Sequence, residues 1–152
     1  MDTSTRPLLI VSEDFPKGQR AAAVAAAIAR GLTTGGLPEA DLCPLPRLEP
    51  GEDVRTLLDS LDFDSRMRAA GAVVVAASRL RESTLDGSAA FEIATRARQG
   101  GVPAFAITAE SRLDAFDARI LDLQSIIEAS DPRSLTAAGR KLAGLGVSLP
   151  QL

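Results

Sequence analysis

Short apolar runs alternate along the chain with longer segments in which apolar residues recur every three or four positions. Uninterrupted apolar runs are typical of strands buried on both faces, and the longer segments have the period of amphipathic helices. This alternation predicts strands at 8–11, 41–45, 72–77, 102–107 and 125–128. It predicts helices at 18–32, from 54 to 61 with a continuation or a break toward 67, at 86–99, and from 132 onward. Segment 111–123 fits either a helical turn or a short helix.

The repeated order of strand and helix predicts a three-layer, doubly wound α/β domain that spans residues 1–152. The runs at 8–11, 72–77 and 102–107 are the most apolar, so we expect them at the centre of a mostly parallel five-stranded sheet. Pro44 removes a backbone donor from the second strand and the fifth strand is more polar, so both belong at edges. Right-handed crossovers then favour the strand order 2-1-3-4-5.

Two helix ends carry specific signals. Gly31, Gly35 and Gly36 predict the end of the first helix. Asp131 followed by Pro132 predicts the N-cap and first position of the last helix. The inward stripe of the last helix is predicted to consist of Leu135, Ala138, Leu142 and Leu145.

The composition excludes several kinds of site. The 152 residues include no His and a single Cys, which excludes imidazole-based acid–base catalysis, zinc sites with imidazole ligands and an internal disulfide. Any metal is expected to be a hard cation such as Mg²⁺, held by carboxylates. The net charge is −3, with no basic stripe and no Trp or Tyr, so nucleic acid is not an expected partner.

The same residues predict a soluble, cytoplasmic protein. The first seven residues lack the apolar core of a signal peptide, and no apolar run is long enough to span a membrane. A lone Cys43 agrees with a reducing compartment, and we expect it to be a buried, unreactive thiol without a basic neighbour.

Ligands of a doubly wound sheet bind beyond the carboxyl ends of its strands, where the strand order reverses. The first strand is followed there by Ser12, Glu13, Asp14 and Lys17, and the third by Ser78, Arg79 and Arg81. We expect the Lys17–Gly18 pair at the start of the first helix, where backbone N–H groups favour an anion. An acid, a lysine and an arginine could hold a phosphate and its metal. On charge alone, however, solvated strand ends are the favoured interpretation.

Two other phosphate sites are excluded by missing residues. The acidic pair at 13–14 is similar to the start of a response-regulator receiver, but the third and fifth strands end in Ala77-Ser78 and Glu128-Ala129. A receiver needs an Asp and a Lys there. Neither a dinucleotide-binding glycine motif nor a P-loop follows any strand.

Two stretches of the chain resemble class II glycerate kinases. Residues 13–18 read Glu-Asp-Phe-Pro-Lys-Gly where that family has Pro-Asp-Ser-Phe-Lys-Gly, and the helix ending at 27–32 matches as well. The second stretch follows the family's order with Ala70-Gly71-Ala72, Arg79-Leu80, Thr84-Leu85-Asp86-Gly87 and Gly101-Val102-Pro103. Together they cover about half of the chain.

The resemblance implies a kinase that transfers phosphate from ATP to glycerate with Mg²⁺, in a cleft between two domains. It implies phosphate- or ligand-binding roles for Asp14, Lys17, Gly18, Arg79, Thr84 and Ser88, with Asp14 also binding Mg²⁺. It assigns no catalytic residue. The expected ligand is a small anionic or phosphorylated molecule.

The chain also departs from that family. A turn and one helix stand where the second domain is inserted, the Gly-Glu-Gly before Arg79 is Ala76-Ala77-Ser78, and Ser88 replaces a Lys. Side chains in place of glycine obstruct the approach of backbone to a phosphate.

Three hypotheses follow. The chain is a phosphotransferase completed by a homodimer or a partner chain, or a non-catalytic ligand-binding, regulatory or partner-binding module, or a relative in fold alone with its site elsewhere. Physical grounds slightly favour the non-catalytic module over the phosphotransferase. Phosphoryl transfer needs a site that is closed from water and that holds all of its hydrogen-bond donors and its metal.

Overall fold

The structure, a computed structural model, describes residues 6–80, 88–113, 119 and 121–145. These residues form a five-stranded sheet in which all neighbouring strands are parallel. Its strands are β1 (Leu8–Ser12), β2 (Asp41–Pro44), β3 (Ala72–Leu80), β4 (Ala104–Ser111) and β5 (Leu123–Glu128). The order β2-β1-β3-β4-β5 confirms the prediction, with the three apolar runs at the centre.

Helices cover both faces of the sheet, which gives the three predicted layers. They are α1 (Ala21–Thr34), α2 (Val54–Ser60), α3 (Phe63–Ala69), α4 (Ala89–Gly100) and α5 (Pro132–Gly144). Successive residues of β1 point to opposite faces. Leu8 and Ile10 pack with α1 and α5, while Leu9 and Val11 pack with α2, α3 and α4. The sheet therefore separates two cores, and each strand at the centre contributes to both.

Several predicted boundaries are wrong. α1 begins at Ala21 rather than residue 18, and it continues past Gly31 to Thr34. Gly31 does not end the helix; it lies where the α5 backbone approaches, so that a Cβ there would overlap the Thr136 carbonyl oxygen. β3 runs to Leu80, three residues beyond its predicted end. The prediction followed the apolar residues, but the pairing of β3 with β4 continues past them and includes Arg79 and Glu110.

Other boundaries resolve open questions. The helical pattern after residue 54 breaks between α2 and α3, where Asp62 adopts a left-handed conformation with φ of 59°. Leu145 is 54% exposed and does not join the inward stripe of α5. The fourth helix, α4, begins at Ala89, after its N-cap Ser88, rather than at the predicted residue 86. Residues 114–118 and 120 of segment 111–123 lie outside the described residues. None of the described helices is long and apolar enough to cross a membrane.

Arg66 of α3 links that helix to the edge strand β2 through hydrogen bonds. Its guanidinium donates to both carboxylate oxygens of Asp41, at 2.7 and 3.0 Å, and also to the Leu42 carbonyl. Cys43 is buried, as expected, but the prediction that it lacks a basic neighbour is wrong, since Arg66 Nη1 lies 3.5 Å from its Sγ. Burial raises the pKa of the Cys43 thiol and outweighs the opposing charge of Arg66. The thiol therefore stays protonated and unreactive.

Candidate functional site

A cleft of about 470 Å³ opens where the carboxyl ends of β1 and β2 meet α2 and the start of α4. Most of its described wall is apolar, and the polar side chains among the described lining residues carry two carboxylates, one guanidinium and one hydroxyl. The described lining consists of Glu13, Asp14, Leu45, Pro46, Arg47, Leu48, Val54, Leu57, Ser88 and Ala89. An apolar cleft with a few convergent polar groups at this end of a parallel sheet is the usual form of a small-molecule site.

Asp14 joins the cleft to the start of α1. Its Oδ1 accepts a hydrogen bond from the Ala21 backbone N–H at 2.8 Å, and its Oδ2 accepts from Arg47 Nε at 2.8 Å. The Arg47 hydrogen bond, followed by that of Ala21, holds the pKa of Asp14 below its usual range. The carboxylate thus occupies a position at the helix N-terminus where the sequence predicted an external anion.

Glu13 meets a different environment one residue earlier. Burial raises the pKa of its carboxyl, and the nearby charge of Asp14 adds to that rise, while a hydrogen bond from the Ser78 backbone N–H opposes it. The two neighbouring carboxyls therefore have their pKa values shifted in opposite directions, so that Asp14 is the stronger acid and Glu13 the weaker one.

Arg47 is the candidate site residue that the sequence did not single out. It lies in the turn after β2, it is 79% exposed, and its Nε is the atom that bonds Asp14. Its position was open to inference, because β2 ends at the same edge of the sheet as β1 and the next residues must face the same crevice.

The sequence predicted Lys17 and Gly18 at the start of α1, and this prediction is wrong. Both residues lie at the tip of a tight turn that precedes the helix. Phe15 and Gln19 pair across this turn, with the Phe15 N–H donating to the Gln19 carbonyl at 2.8 Å. Lys17 and Gly18 have φ values of 65° and 76°, in the left-handed region that tight turns often use. Gln19 Nε2 also donates to the Ser130 carbonyl at 2.8 Å, which ties the turn to the α5 side of the sheet.

Arg79 and Ser88 both have local structural roles. Arg79 lies within β3, opposite Glu110 of β4, and its Nε is 3.6 Å from a carboxylate oxygen of that residue. Ser88 is the N-cap of α4 and accepts a hydrogen bond from the Phe91 N–H at 3.1 Å. Thr84 lies outside the described residues.

The structure therefore brings together only some of the predicted site residues. Asp14 and Ser88 share the wall of the cleft. Lys17, Gly18 and Arg79 are absent from its described lining, and the roles predicted for them stay predictions.

A divalent metal is a poor fit to Asp14 in this arrangement. Each of its carboxylate oxygens already accepts a hydrogen bond, and the positive charge of Arg47, whose Nε lies 2.8 Å from Oδ2, opposes a second cation there. Among the described residues, no three acidic or thiol side chains come close enough to form a metal site. The use of Mg²⁺ with ATP stays a prediction.

The solved structures that are similar to this chain include the three that follow. A de novo designed Rossmann 2x3 fold protein is similar over 96% of this chain and 95% of its own, with a TM-score of 0.53 and 12% identity. The putative glycerate kinase 2 from Salmonella typhimurium LT2 has a TM-score of 0.47 and 15% identity over 70% of this chain and 28% of its own. An NAD(P)H:quinone oxidoreductase from Methanothermobacter marburgensis has a TM-score of 0.49 and 11% identity over 92% and 98%. The first similarity supports a Rossmann-like fold and nothing further.

Comparison of the sequence with protein families and curated proteins gives one match. No curated protein matches the sequence significantly. The model of the glycerate kinase family matches residues 35–144, which is more than two thirds of the chain. The second stretch of the resemblance lies inside this range, whereas the opening stretch with Asp14, Lys17 and Gly18 precedes it. The chain therefore belongs to the glycerate kinase family.

Proposed function

We propose that this chain is a glycerate kinase family domain that binds a small hydroxy acid in the cleft and does not transfer phosphate by itself. The observation that carries the proposal is the composition of the cleft wall, where two carboxylates adjoin a guanidinium among apolar side chains. A hydroxy acid of the glycerate class offers hydroxyl donors for the carboxylates and a carboxylate for the guanidinium.

Arg47 supplies the donors that the acid group of the ligand needs. A guanidinium carries five N–H groups, and the hydrogen bond to Asp14 uses the one on Nε. The terminal amino groups of this exposed side chain are positioned by that bond, so they are pre-oriented for a bidentate contact with a carboxylate.

Glu13 supplies the acceptor for a hydroxyl. Its carboxyl lies in the cleft wall, and its raised pKa makes it a better proton acceptor than Asp14 once it is ionised. The hydrogen bond from Ser78 fixes its orientation from the β3 side.

The proposed lack of phosphoryl transfer rests on where the positively charged side chains lie. Phosphoryl transfer depends on positive groups gathered around the transferred phosphate. Lys17 and Arg79 are not in the described cleft lining. Asp14 is tied to Arg47 and Ala21.

The second candidate function is a glycerate kinase-like phosphotransferase that uses Mg²⁺ and ATP. Membership of the family favours it. It requires the missing part of the cleft to come from a second copy or from a partner chain, and a rearrangement that frees Asp14.

Calorimetric titration with glycerate tests the first proposal. We expect saturable binding to the unmodified chain and weaker binding, by about tenfold, to Arg47→Gln, since a hydrogen bond to a charged group contributes about 1.5–3 kcal/mol. Glycerol lacks the carboxylate and lactate lacks one hydroxyl, so both are expected to bind more weakly than glycerate. Arg55→Gln is the matched control, because Arg55 is also exposed and ion-paired but lies outside the described cleft lining.

Two results would overturn the proposal. If glycerate does not bind, or if Arg55→Gln weakens it as much as Arg47→Gln, the cleft is not the site. Phosphoglycerate formed from glycerate and ATP–Mg²⁺ by the isolated chain would replace the non-catalytic proposal with the second candidate.

A further inference from the structure

Three arginines line an open groove of about 770 Å³ between α1 and α5, on the face of the sheet opposite the cleft. Arg30 stands on α1, and Arg133 and Arg140 stand on α5. The described lining of this groove, which we call the α1–α5 groove, consists of Arg30, Asp131, Pro132, Arg133, Thr136, Ala137 and Arg140.

None of the three guanidinium groups forms an ion pair with a carboxylate in the described part of the chain. Other arginines behave differently, since Arg47, Arg66 and Arg96 each pair with an acid. All three groove arginines are exposed. The groove therefore concentrates positive charge on a protein whose net charge is −3.

The polar groups that share the groove are already occupied. Asp131 caps α5, accepting a hydrogen bond from the Ser134 N–H at 2.7 Å. That bond, with smaller contributions from the Ser134 side chain and from the charges of Arg133 and Lys17, lowers the pKa of Asp131. Thr136 donates to the Ala27 carbonyl at 3.0 Å. Asp131 therefore offsets part of the positive charge near Arg133, but a single carboxylate leaves an excess of two positive charges in the described lining of the groove.

The spacing of the cations indicates the size of their ligand. Arg133 and Arg140 are seven residues apart on one side of α5, which corresponds to about 10 Å along the helix axis. A single phosphate or carboxylate would contact both only if the two side chains bent toward one another, whereas a longer ligand meets both in extended conformations. An extended peptide advances about 3.3 Å per residue, so acidic side chains about three residues apart would match both arginines.

We propose that the α1–α5 groove is a docking site for an acidic peptide segment of a partner protein. Arg133 and Arg140 bind successive carboxylates along α5, and Arg30 binds the same segment from the opposite side. This site is independent of the cleft, because it uses α1 and α5 whereas the cleft uses α2 and α4.

Fluorescence anisotropy with a labelled oligo-glutamate peptide of about eight residues tests this site. We expect the peptide to bind, an oligo-glutamine peptide of the same length not to bind, and the affinity to fall as salt rises from about 0.05 to about 0.5 M. The double variant Arg133→Gln/Arg140→Gln should weaken binding at least about tenfold. The control Arg55→Gln/Arg112→Gln removes the same charge from two exposed, ion-paired arginines outside the groove and should bind as the unmodified chain does.

Three outcomes would overturn the proposal. Equal loss of binding in the two double variants would show a response to net charge alone. Tighter binding of inorganic tripolyphosphate than of the peptide, lost in the groove variant, would assign the groove to a small polyanion. Concentration-dependent self-association in light scattering, abolished by the groove variant, would assign it to a second copy of this chain.

Discussion

At the scale of single residues, Glu13 and Asp14 show how the backbone sets the acidity of a carboxyl. Asp14 turns toward the start of α1 and meets two donors, from Ala21 and Arg47. Glu13 turns into the wall of the cleft, where burial is the largest influence on its pKa. Folding therefore favours ionised Asp14 and disfavours ionised Glu13.

These two residues should affect stability with opposite signs. Glu13 has a raised pKa in the folded chain, so its contribution to stability is full below its ordinary pKa and is lost as the pH rises through the folded value. Asp14 has a lowered pKa, so its contribution is present above its ordinary pKa and is lost as the pH falls. Near neutral pH, we expect Glu13→Gln to raise the free energy of unfolding and Asp14→Asn to lower it, each by about 1 kcal/mol or less.

Urea denaturation of both variants at about pH 7 and about pH 3 measures these effects. Both differences from the unmodified chain should shrink at the lower pH, where the carboxyls become protonated. A loss of stability in Glu13→Gln at neutral pH would contradict the assigned environment. A gain in stability together with weaker glycerate binding would show that Glu13 is retained for the ligand, a trade-off that binding sites often carry.

At the scale of elements, the contact between α1 and α5 depends on glycine. Gly31 and Gly139 lie where the two helices cross, and a Cβ on Gly139 would overlap the Ile28 carbonyl oxygen. The close approach also lets the Thr136 hydroxyl reach the Ala27 carbonyl at 3.0 Å. Glycine is normally unfavourable inside a helix, by about 1 kcal/mol relative to alanine, so its presence here reflects the packing.

Gly139→Ala should lower the free energy of unfolding by about 1–3 kcal/mol, because the new methyl group meets backbone atoms that cannot move aside independently. Gly144→Ala is the matched control in the same helix, since a Cβ at Gly144 has no neighbour within 4 Å. We expect the control to be neutral or slightly more stable. Thermal unfolding of both variants distinguishes the two positions, and equal stability would show that the helices do not approach as closely as described.

The sequence predicted the architecture well because burial leaves a clear pattern. Strands apolar on both faces must be central and parallel, and Pro44 must lie at an edge, which is enough to order the sheet. Gly35 caps the end of α1, as the sequence predicted, but the role of Gly31 was mispredicted because a glycine that ends a helix and one that admits a neighbouring helix look the same in one sequence. Gly31 is of the second kind, and only its contact with α5 shows it.

The candidate site was predicted less completely, and for a different reason. Asp14 is two residues beyond the end of β1, so the topology alone put it at the correct edge. Lys17 is three residues further on, at the tip of the turn between Phe15 and Gln19, and the Gln19 side chain ties that turn to Ser130, just before α5. The position of a side chain that follows a strand depends on the conformation of the turn there. The turn after β2 likewise places Arg47 in the wall of the cleft.

At the scale of the whole molecule, the sheet divides the interior into two cores and also joins them. Ile28 of α1 is fully buried in one core, and Ile93 of α4 is fully buried in the other. The strand β3 contributes to both, with Val74 on one side and Val73 and Val75 on the other. Loss of either core would expose one face of the central strands, so the described elements are expected to unfold as one unit.

Ile28→Val and Ile93→Val test this arrangement together. Each should lower the free energy of unfolding by about 0.5–1.5 kcal/mol through the loss of one buried methylene group. The two residues belong to different cores with the sheet between them, so the double variant should show the sum of the single effects to within about 0.5 kcal/mol. All three variants should keep a single transition in urea, with coincident changes in far-ultraviolet circular dichroism and hydrogen exchange. Two separated transitions, or a double variant far from additive, would mean that the cores do not share one sheet as the structure describes.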